Sequence, residues 1–121
     1  IFAVRPEDGA EKWHTNLVGA ITGLLVLPSR IVATTEFGDL AIIDFNGDLQ
    51  QHLRVAQRIH YLAPCDTDLA LATEGGRLMR LGWDGSCRWL FEAGEEIVGL
   101  HPIPGGLLLS LEGGRLVCLP S

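Results

Sequence analysis

The chain has 121 residues, of which 47% are hydrophobic and 20% charged, so it is long enough for one ordered domain with a buried core. Its formal net charge is −6 and its nine basic residues are scattered, which argues against nucleic acid as a partner. Its longest apolar stretches are only strand-sized, so the sequence predicts no membrane-spanning helix.

Taken in chain order, the predicted elements are all short strands separated by turns. Residues 2–5 form a strand that ends in a turn at Asp8-Gly9. Three groups of strands follow, with first strands that begin at Ile21, Ile59 and Ile97. The second strands are predicted over 31–35, 69–73 and 107–111, and the third strands over 40–44, 78–81 and 116–119. No segment keeps a helical period over ten residues, so we expect an all-β protein.

These strands belong to an internal 38-residue repeat. The glycines that follow an acidic or amide residue, Gly9, Gly47 and Gly85, are spaced by 38 residues. A second series of glycines has the same spacing. The columns that keep this register are Gly38/Gly76/Gly114, Ile21/Ile59/Ile97, Leu24/Leu62/Leu100, Glu36/Glu74/Glu112 and Leu40/Leu78/Leu116. Several independent columns that agree without a gap indicate a true internal repeat.

The turns assign four strands to each repeat. Asn-Gly and Asp-Gly between apolar runs are typical of type I′ hairpins and join the third strand to the fourth. Gly75-Gly76 and Gly113-Gly114 fit the turn between the second and third strands, and the recurring glutamates are expected to cap those hairpin amides.

A four-stranded unit of this length that buries both sheet faces against its neighbours is the description of a β-propeller blade. We therefore predict a single β-propeller segment of about three blades over residues 1–121. Its parts are the end of one blade (1–20), two blades (21–58 and 59–96) and a partial blade (97–121).

The segment Ala3-Val4-Arg5-Pro6-Glu7-Asp8-Gly9-Ala10-Glu11-Lys12-Trp13 is similar to the tryptophan-docking signature A-x-D-x-x-T-G-x-x-x-W of PQQ-like quinoprotein propeller repeats. Ala3, Gly9 and Trp13 match this signature, whereas Arg5 and Asp8 depart from it. The resemblance implies that Trp13 has a structural docking role in packing the blades.

The other copies keep part of the signature. Trp89 follows Asp84-Gly85 as Trp13 follows Asp8-Gly9, and Gln51 takes the place of the tryptophan after Asn46-Gly47. We therefore expect Trp89 and the three turn glycines (Gly9, Gly47 and Gly85) to share the docking role. The dipeptide Trp83-Asp84 leaves WD40-like blades as an alternative.

The resemblance also points to PQQ-dependent dehydrogenases, whose cofactor lies over the channel of a larger propeller with calcium. The sequence has no acidic cluster suited to calcium and no nucleophile-base motif, so we expect no cofactor, no metal and no catalytic residues. Cys65, Cys87 and Cys118 lack C-x-x-C spacing and are expected to be free, buried hydrophobes.

Two groups of residues are candidates for binding. His60, Tyr61 and His101 are the polar and aromatic residues of the predicted innermost strands, and we expect them to face the channel or a ligand. The loops 54–58 and 92–96 differ in charge and are candidates for binding a protein partner through Arg54, Arg58, Glu92, Glu95 and Glu96. His14 and His52 are equivalent in the repeat and are expected to be structural.

Propellers have about four to eight blades, so three cannot close a ring. Residues 1–7 are in register with residues 115–121, which suggests that two copies close head to tail into six blades with one redundant third strand per junction. The alternative is that a second chain supplies the remaining blades. The chain begins at Ile1 without Met, so we expect a processed product or an excised piece, and no compartment is indicated.

The function predicted is that of a non-catalytic scaffold that binds protein or completes an assembly. A fragment of a quinoprotein dehydrogenase and a propeller that binds a small ligand or sugar are the alternatives, and fold analogy alone supports all three.

Overall fold

The fold is given by a computed structural model, which describes residues 1–55, 57–66 and 68–120. Every regular element in these residues is a β-strand, and all the pairings between strands are antiparallel. The all-β class is therefore confirmed. The chain divides into two compact units, Ile1–Ala56 and Gln57–Ser121.

Within the described residues, no helix is long and apolar enough to cross a membrane.

The first unit contains two sheets. A two-stranded sheet pairs β1 (Phe2–Val4) with β2 (Glu11–His14). A four-stranded sheet has the order β3 (Ile21–Val26), β4 (Ile31–Thr35), β5 (Asp39–Ile43) and β6 (Leu49–Arg54). Strands β4 and β5 are buried at every position, which explains why they are nearly continuous apolar runs rather than alternating ones.

The second unit also contains two sheets. The four-stranded one has the order β7 (Ile59–Cys65), β8 (Asp68–Thr73), β9 (Arg77–Leu81) and β10 (Cys87–Glu92). The three-stranded one has the order β11 (Ile97–Ile103), β12 (Gly106–Leu111) and β13 (Leu116–Pro120). The predicted second and third strands agree with these bounds to within about one residue.

The repeat is also visible in the backbone. Each first strand shifts register against the second strand at the same place in the repeat, between Ile21/Gly23, Ile59/Tyr61 and Ile97/Gly99. Next to each shift the amide of the recurring glutamate donates to the carbonyl of the residue before the first strand, at 2.9, 2.9 and 3.0 Å for Glu36, Glu74 and Glu112. The bulge is thus a recurring part of the blade's geometry rather than a local irregularity.

The turns between third and fourth strands are at the predicted positions, but the type I′ assignment is wrong. That turn type needs positive φ at two successive residues. Among the described residues other than glycine, only Asp66 has a positive φ, whereas Gly47 and Gly85 have φ of 88° and 85°. The Gly47 amide donates to Asp44 O at 3.1 Å, the pattern of a three-residue loop closed by a left-handed glycine.

The first copy of this turn is wider, and a proline explains the difference. In the full sheets the amides of Asp44 and Gly82 donate across the hairpin to Asp48 O and Ser86 O. Pro6 stands at the equivalent position and has no N–H to donate. The amide of the preceding residue, Arg5, takes over and donates to Ala10 O at 2.9 Å.

The second unit shows how one sheet packs on the next. Strand β11 contacts β7 and β8, and the two sheets share one buried cluster. The cluster consists of Ala63, Cys65, Ala70, Ala72, Leu78, Ala93, Ile97, Leu100, Leu107, Leu109 and Leu111. Each large aliphatic side chain buried in this way contributes roughly 1.5–3 kcal/mol relative to an exposed one, so packing between sheets is a main source of stability.

Candidate functional site

The tryptophan Trp13 of β2 packs against the neighbouring four-stranded sheet. With Ile1 and Leu17 it covers a buried cluster of Ile31, Ala41 and Ile43. Its indole Nε1 donates to the carbonyl of Phe45 at 2.9 Å, within the turn that joins β5 to β6. The side chain therefore fixes one sheet onto the turn of the next.

Gly47 makes this contact sterically feasible. A Cβ at Gly47 would lie 2.7 and 2.8 Å from two ring atoms of Trp13, closer than carbon atoms pack. The hydroxyl of Thr15, two residues after Trp13, donates to Gly47 O at 2.6 Å. The glycine is required here both for its left-handed φ and for the close approach of the ring.

Trp89 occupies the equivalent place on β10, and its surroundings differ at the turn. Together with Val117 and Leu119 it packs against the buried cluster of the second unit, which includes Leu107. A groove of about 350 Å³ is left open beside it, lined by Trp89, Leu90, Phe91, Leu119 and Pro120. The described residues provide no turn glycine against this ring comparable to Gly47 against Trp13.

The three residues expected at the channel lie on the first strands of their sheets and are exposed. His60 and Tyr61 belong to β7 and His101 to β11. The Nδ1 of His60 is 4.0 Å from Glu96 Oε2, and the His101 ring lies beside Gly99. Their position on a channel wall stays a prediction, and among the described residues no group of three His, Cys, Asp or Glu side chains is placed to hold a metal ion.

The acidic residues expected to bind a partner make contacts within their own unit. The Glu95 carboxylate accepts from the Gly113 amide and lies 3.3 Å from the Arg115 guanidinium. Glu96 Oε1 accepts from the Gly75 amide at 2.7 Å. The capping of these hairpin amides, assigned from the sequence to the recurring glutamates, is thus performed by the loop that precedes β11.

Arg54 and Glu92 end the strands β6 and β10, and each forms an ion pair with the adjacent third strand. Arg54 Nε lies 3.0 Å from Asp39 Oδ1, and Arg77 Nε lies 3.3 Å from Glu92 Oε1. These pairs are equivalent in the repeat with the charges exchanged. The side chain of Arg58 has no such contact in the structure as described, although its carbonyl accepts from the Glu74 amide.

Asp39 is the polar residue that sequence reasoning missed. Its side chain is 9% exposed, accepts hydrogen bonds from Arg54 and from Thr35, and lies 3.1 Å from His52 Nε2. The hydrogen bond from Arg54 lowers the pKa of the Asp39 carboxyl, against the opposing effect of burial, and correspondingly raises the pKa of Arg54. The sequence contained a signal for this ion pair: Asp39 and Arg54 of one repeat are replaced by the oppositely charged Arg77 and Glu92 in the next.

A groove of about 300 Å³ lies beside this cluster in the first unit and includes Leu17, Ala41 and the side chains of Asp39 and His52. Both carboxylate oxygens of Asp39 already accept hydrogen bonds from the chain itself. The arrangement is that of a structural polar cluster at the edge of a blade.

The cysteines differ from the expectation that all three are buried. Cys65 is buried, and burial raises the pKa of its thiol. Cys87 and Cys118 are exposed. Each lies on a strand at the edge of its sheet, β10 and β13, where one side of the strand has no neighbour in the chain as described.

Repeat-equivalent apolar residues are buried in the middle of the chain and exposed at its two ends. Leu78 is 0% exposed and its equivalent Leu116 is 70% exposed. Ile97 and Leu100 are 2% and 7% exposed because β7 and β8 cover them, whereas their equivalents Ile21 and Leu24 on β3 are 41% and 57% exposed. We call the exposed set Ile21, Leu24 and Val26 the β3 face, and the unpaired side of β13 the β13 edge.

No protein-family model and no curated protein matches the sequence. Solved β-propeller structures do match the fold. BBS1N, solved in complex with ARL6DN, superposes with a TM-score of 0.83 at 15% identity, over 98% of this chain and 43% of that chain. BamB from Moraxella catarrhalis gives 0.79 at 18% identity over 93% and 38%, and Sqt1 from Saccharomyces cerevisiae gives 0.82 at 15% over 93% and 36%.

These matches confirm the predicted fold class: the chain is an all-β segment of about three propeller blades. It spans less than half the length of the propeller chains that it matches. At 15–18% identity the likeness concerns the fold alone.

Proposed function

We propose that this chain is a non-catalytic β-propeller scaffold whose open ends are completed by a second copy of itself. The observation that carries the proposal is the exposure of Ile21 and Leu24 on the β3 face, whose repeat equivalents Ile97 and Leu100 are buried under β7 and β8, and of Leu116, whose equivalents Leu40 and Leu78 are buried. Contiguous exposed apolar residues beside an unpaired strand edge are typical of surfaces that associate.

The incomplete sheets at the two ends complement each other. Within residues 1–55, 57–66 and 68–120, the sheet β11-β12-β13 has first, second and third strands, whereas the sheet β1-β2 has a third and a fourth strand. One copy therefore supplies what the other lacks, with one third strand in excess. Two such junctions give a six-bladed ring, within the range of about four to eight blades that propellers use.

The shorter third strand is the one we expect to be released at each junction. β1 pairs over three residues with a register shift, whereas β13 pairs with β12 over five residues without one. Strand β2 of the second copy then adds to the β13 edge. The β3 face of that copy is then covered by the first and second strands of the completed blade, β11 and β12.

We infer that the blades are of the PQQ-like type rather than WD40-like. The contact of Trp13 with the Gly47 turn supports this, because it is the docking role that the signature implies. This inference concerns blade packing and not the chemistry of quinoprotein enzymes. If the chain were instead a dehydrogenase fragment, added PQQ with calcium would change its absorption spectrum or protect it from unfolding, and we expect neither.

The solution mass tests the self-association. Light scattering after size exclusion should give twice the 13.1 kDa of one chain. A stable monomer at all concentrations would contradict the proposal, and it would favour the alternative in which a different chain supplies the remaining blades.

A matched pair of variants tests which surface is used. Leu24→Glu places a charge on the β3 face, where the equivalent residues Leu62 and Leu100 are apolar, and should return the mass to 13.1 kDa. Leu49→Glu is the control, because Leu49 is 52% exposed and its repeat equivalent on β2 is already Glu11. If both variants remain dimeric, the β3 face is not part of the interface.

A further inference from the structure

The groove of about 300 Å³ in the first unit lies between the loop that follows β2 and the sheet β3-β4-β5-β6. We call it the Arg54 groove; its lining includes Leu17, Val18, Asp39, Ala41, His52 and Arg54. Asp39 and Leu17 correspond to Arg115 and Ala93 in the second unit, 76 positions further on. There the Arg115 guanidinium donates to Ala93 O at 3.2 Å, and Ala93 is buried. A long arginine therefore holds the loop against its sheet in the second unit.

The first unit has a shorter side chain of opposite charge at this position. The Asp39 carboxylate has no N–H with which to reach the carbonyl of Leu17, and it pairs with Arg54 of β6 instead. Leu17 is only partly buried, and the next residue, Val18, is 79% exposed. The opening of the groove thus follows from the exchange of side chains within the repeat.

Arg54 turns one edge of its guanidinium away from Asp39. Nε donates to Asp39 Oδ1 at 3.0 Å and Nη2 donates to Oδ2 at 3.4 Å, so both hydrogen bonds use the same edge. The other edge, formed by Nη1 and the second N–H of Nη2, has no partner among the residues that the structure describes. The side chain is 68% exposed. Two parallel N–H groups of this kind match the two oxygens of a carboxylate.

The surroundings of Arg54 favour an anion over a cation. Asp39 is 9% exposed, and its two oxygens already accept hydrogen bonds from Thr35 and Arg54. Its Oδ1 also lies 3.1 Å from His52 Nε2. A cationic ligand would meet the charge of Arg54 and find Asp39 engaged. Because the charges of Asp39 and Arg54 cancel, an anion is held by directed hydrogen bonds rather than by a net field.

The remainder of the groove is apolar and continues onto an exposed aromatic side chain. Its apolar lining consists of Leu17, Val18 and Ala41. Phe37 is 57% exposed and lies against the loop, since a Cβ at Gly19 would be 2.7 Å from its ring. The repeat equivalents of Phe37 are Gly75 and Gly113, so the blade itself does not require an aromatic residue here. An aliphatic side chain next to a carboxylate fits such a site.

We propose that the Arg54 groove binds an acidic peptide segment of a partner protein. An aspartate carboxylate of the segment accepts from the outer edge of Arg54, and the aliphatic side chain beside it lies on Leu17 and Val18. The inference goes beyond the proposed self-association and does not depend on it. None of the lining residues belongs to the β3 face or to the β13 edge.

Two matched tripeptides test the recognition of the carboxylate. Acetyl-Leu-Asp-Leu-amide and acetyl-Leu-Asn-Leu-amide differ only in that group, and each is titrated at millimolar concentration into the full ¹⁵N-labelled chain. The amide resonances of Leu17, Val18 and Arg54 should shift with the aspartate peptide. The asparagine peptide should bind about fivefold more weakly, because it offers no charged acceptor to the guanidinium.

A pair of arginine substitutions tests the role of the guanidinium edge. Arg54→Lys keeps the positive charge beside Asp39 but has no second edge, so the affinity for the aspartate peptide should fall about fivefold. Arg77→Lys is the matched control, because Arg77 pairs with Glu92 in the second unit and lies outside the groove, and it should leave the affinity unchanged.

A second pair keeps the ion pair of Arg54 intact. Val18→Asp and Val18→Asn alter an exposed residue by groups of nearly equal size, and only the first adds a negative charge at the groove. The aspartate peptide should bind about threefold more weakly to the Asp variant than to the Asn variant, with a smaller difference at high salt. The asparagine peptide should not distinguish them.

The outcomes are separable from the solution mass of the chain. A preference for the aspartate peptide that Arg54→Lys removes and Arg77→Lys retains supports the proposal whether the chain is a monomer or a dimer. Equal binding of the two peptides to wild type overturns the recognition of the carboxylate. Resonance shifts confined to other parts of the chain, or no shift at millimolar peptide, overturn the site itself.

Discussion

Substitution of Gly47 by alanine tests how the first two sheets are held together. The new Cβ would lie 2.7 Å from the Trp13 ring, and an ordinary carbon contact is about 3.5–4.0 Å, so the ring must retreat by roughly 1 Å. That movement breaks the 2.9 Å hydrogen bond from Trp13 Nε1 to Phe45 O, a net loss of about 1 kcal/mol. The φ of 88° adds about 1–2 kcal/mol for any residue with a Cβ.

The expected loss in the free energy of unfolding is therefore roughly 2–3 kcal/mol. Gly75→Ala is the control, because its φ is 85° but a Cβ there meets no atom within 4 Å, so only the backbone cost of about 1–2 kcal/mol applies. The loss in each variant is measured by urea unfolding followed by tryptophan fluorescence. Trp83 and Trp89 are replaced by phenylalanine in all variants, so that the fluorescence comes from Trp13 alone. Equal losses for the two substitutions would refute the docking argument.

Two further predictions concern titratable side chains. Because Arg54 holds the pKa of Asp39 below its ordinary value of 3.8, the ionised carboxylate stabilises the fold above that pH, and this contribution is lost as the pH falls through the lowered pKa. Asp39→Asn should accordingly lower the urea midpoint at pH 7 and converge with wild type in acid; a difference that persists unchanged in acid would point to packing instead. In a thiol titration with Ellman's reagent on dilute native protein, Cys87 and Cys118 should react quickly and Cys65 only on unfolding, since Cys65 is buried with a raised thiol pKa. Rapid reaction of three thiols would show that the buried cluster of the second unit opens readily.

The repeat explains why so much of the fold is predictable. Strand alternation and turn glycines are local signals, and the 38-residue period presents each of them up to three times, so errors in one copy are corrected by the others. The second strand predicted over 31–35 has the bounds observed for β4, and the position of the docking turn at Gly47 follows from its column.

The conformation of the turns between third and fourth strands cannot be predicted from the sequence pattern alone. Asn-Gly favours a type I′ hairpin when the loop has two residues, but here the hydrogen bond of Asp44 across the hairpin sets a three-residue loop. The turn at Pro6 is wider because proline lacks the N–H that donates across the other two hairpins. The repeat pattern shows the proline, but it does not show that this N–H is the one that closes the turn.

The sequence by itself determined the number and order of the strands and the bounds of the second and third strands, because these depend on neighbours a few positions apart. Only the tertiary structure decided that Asp39 is buried among Arg54, His52 and Thr35, and that Glu95 and Glu96 cap hairpins 18 and 21 residues away. It also decided which of two repeat-equivalent residues is buried: Leu78 is buried, whereas Leu116 is exposed. Identical residues in a repeat have identical local preferences, and burial differs between them because it depends on whether another sheet lies against them.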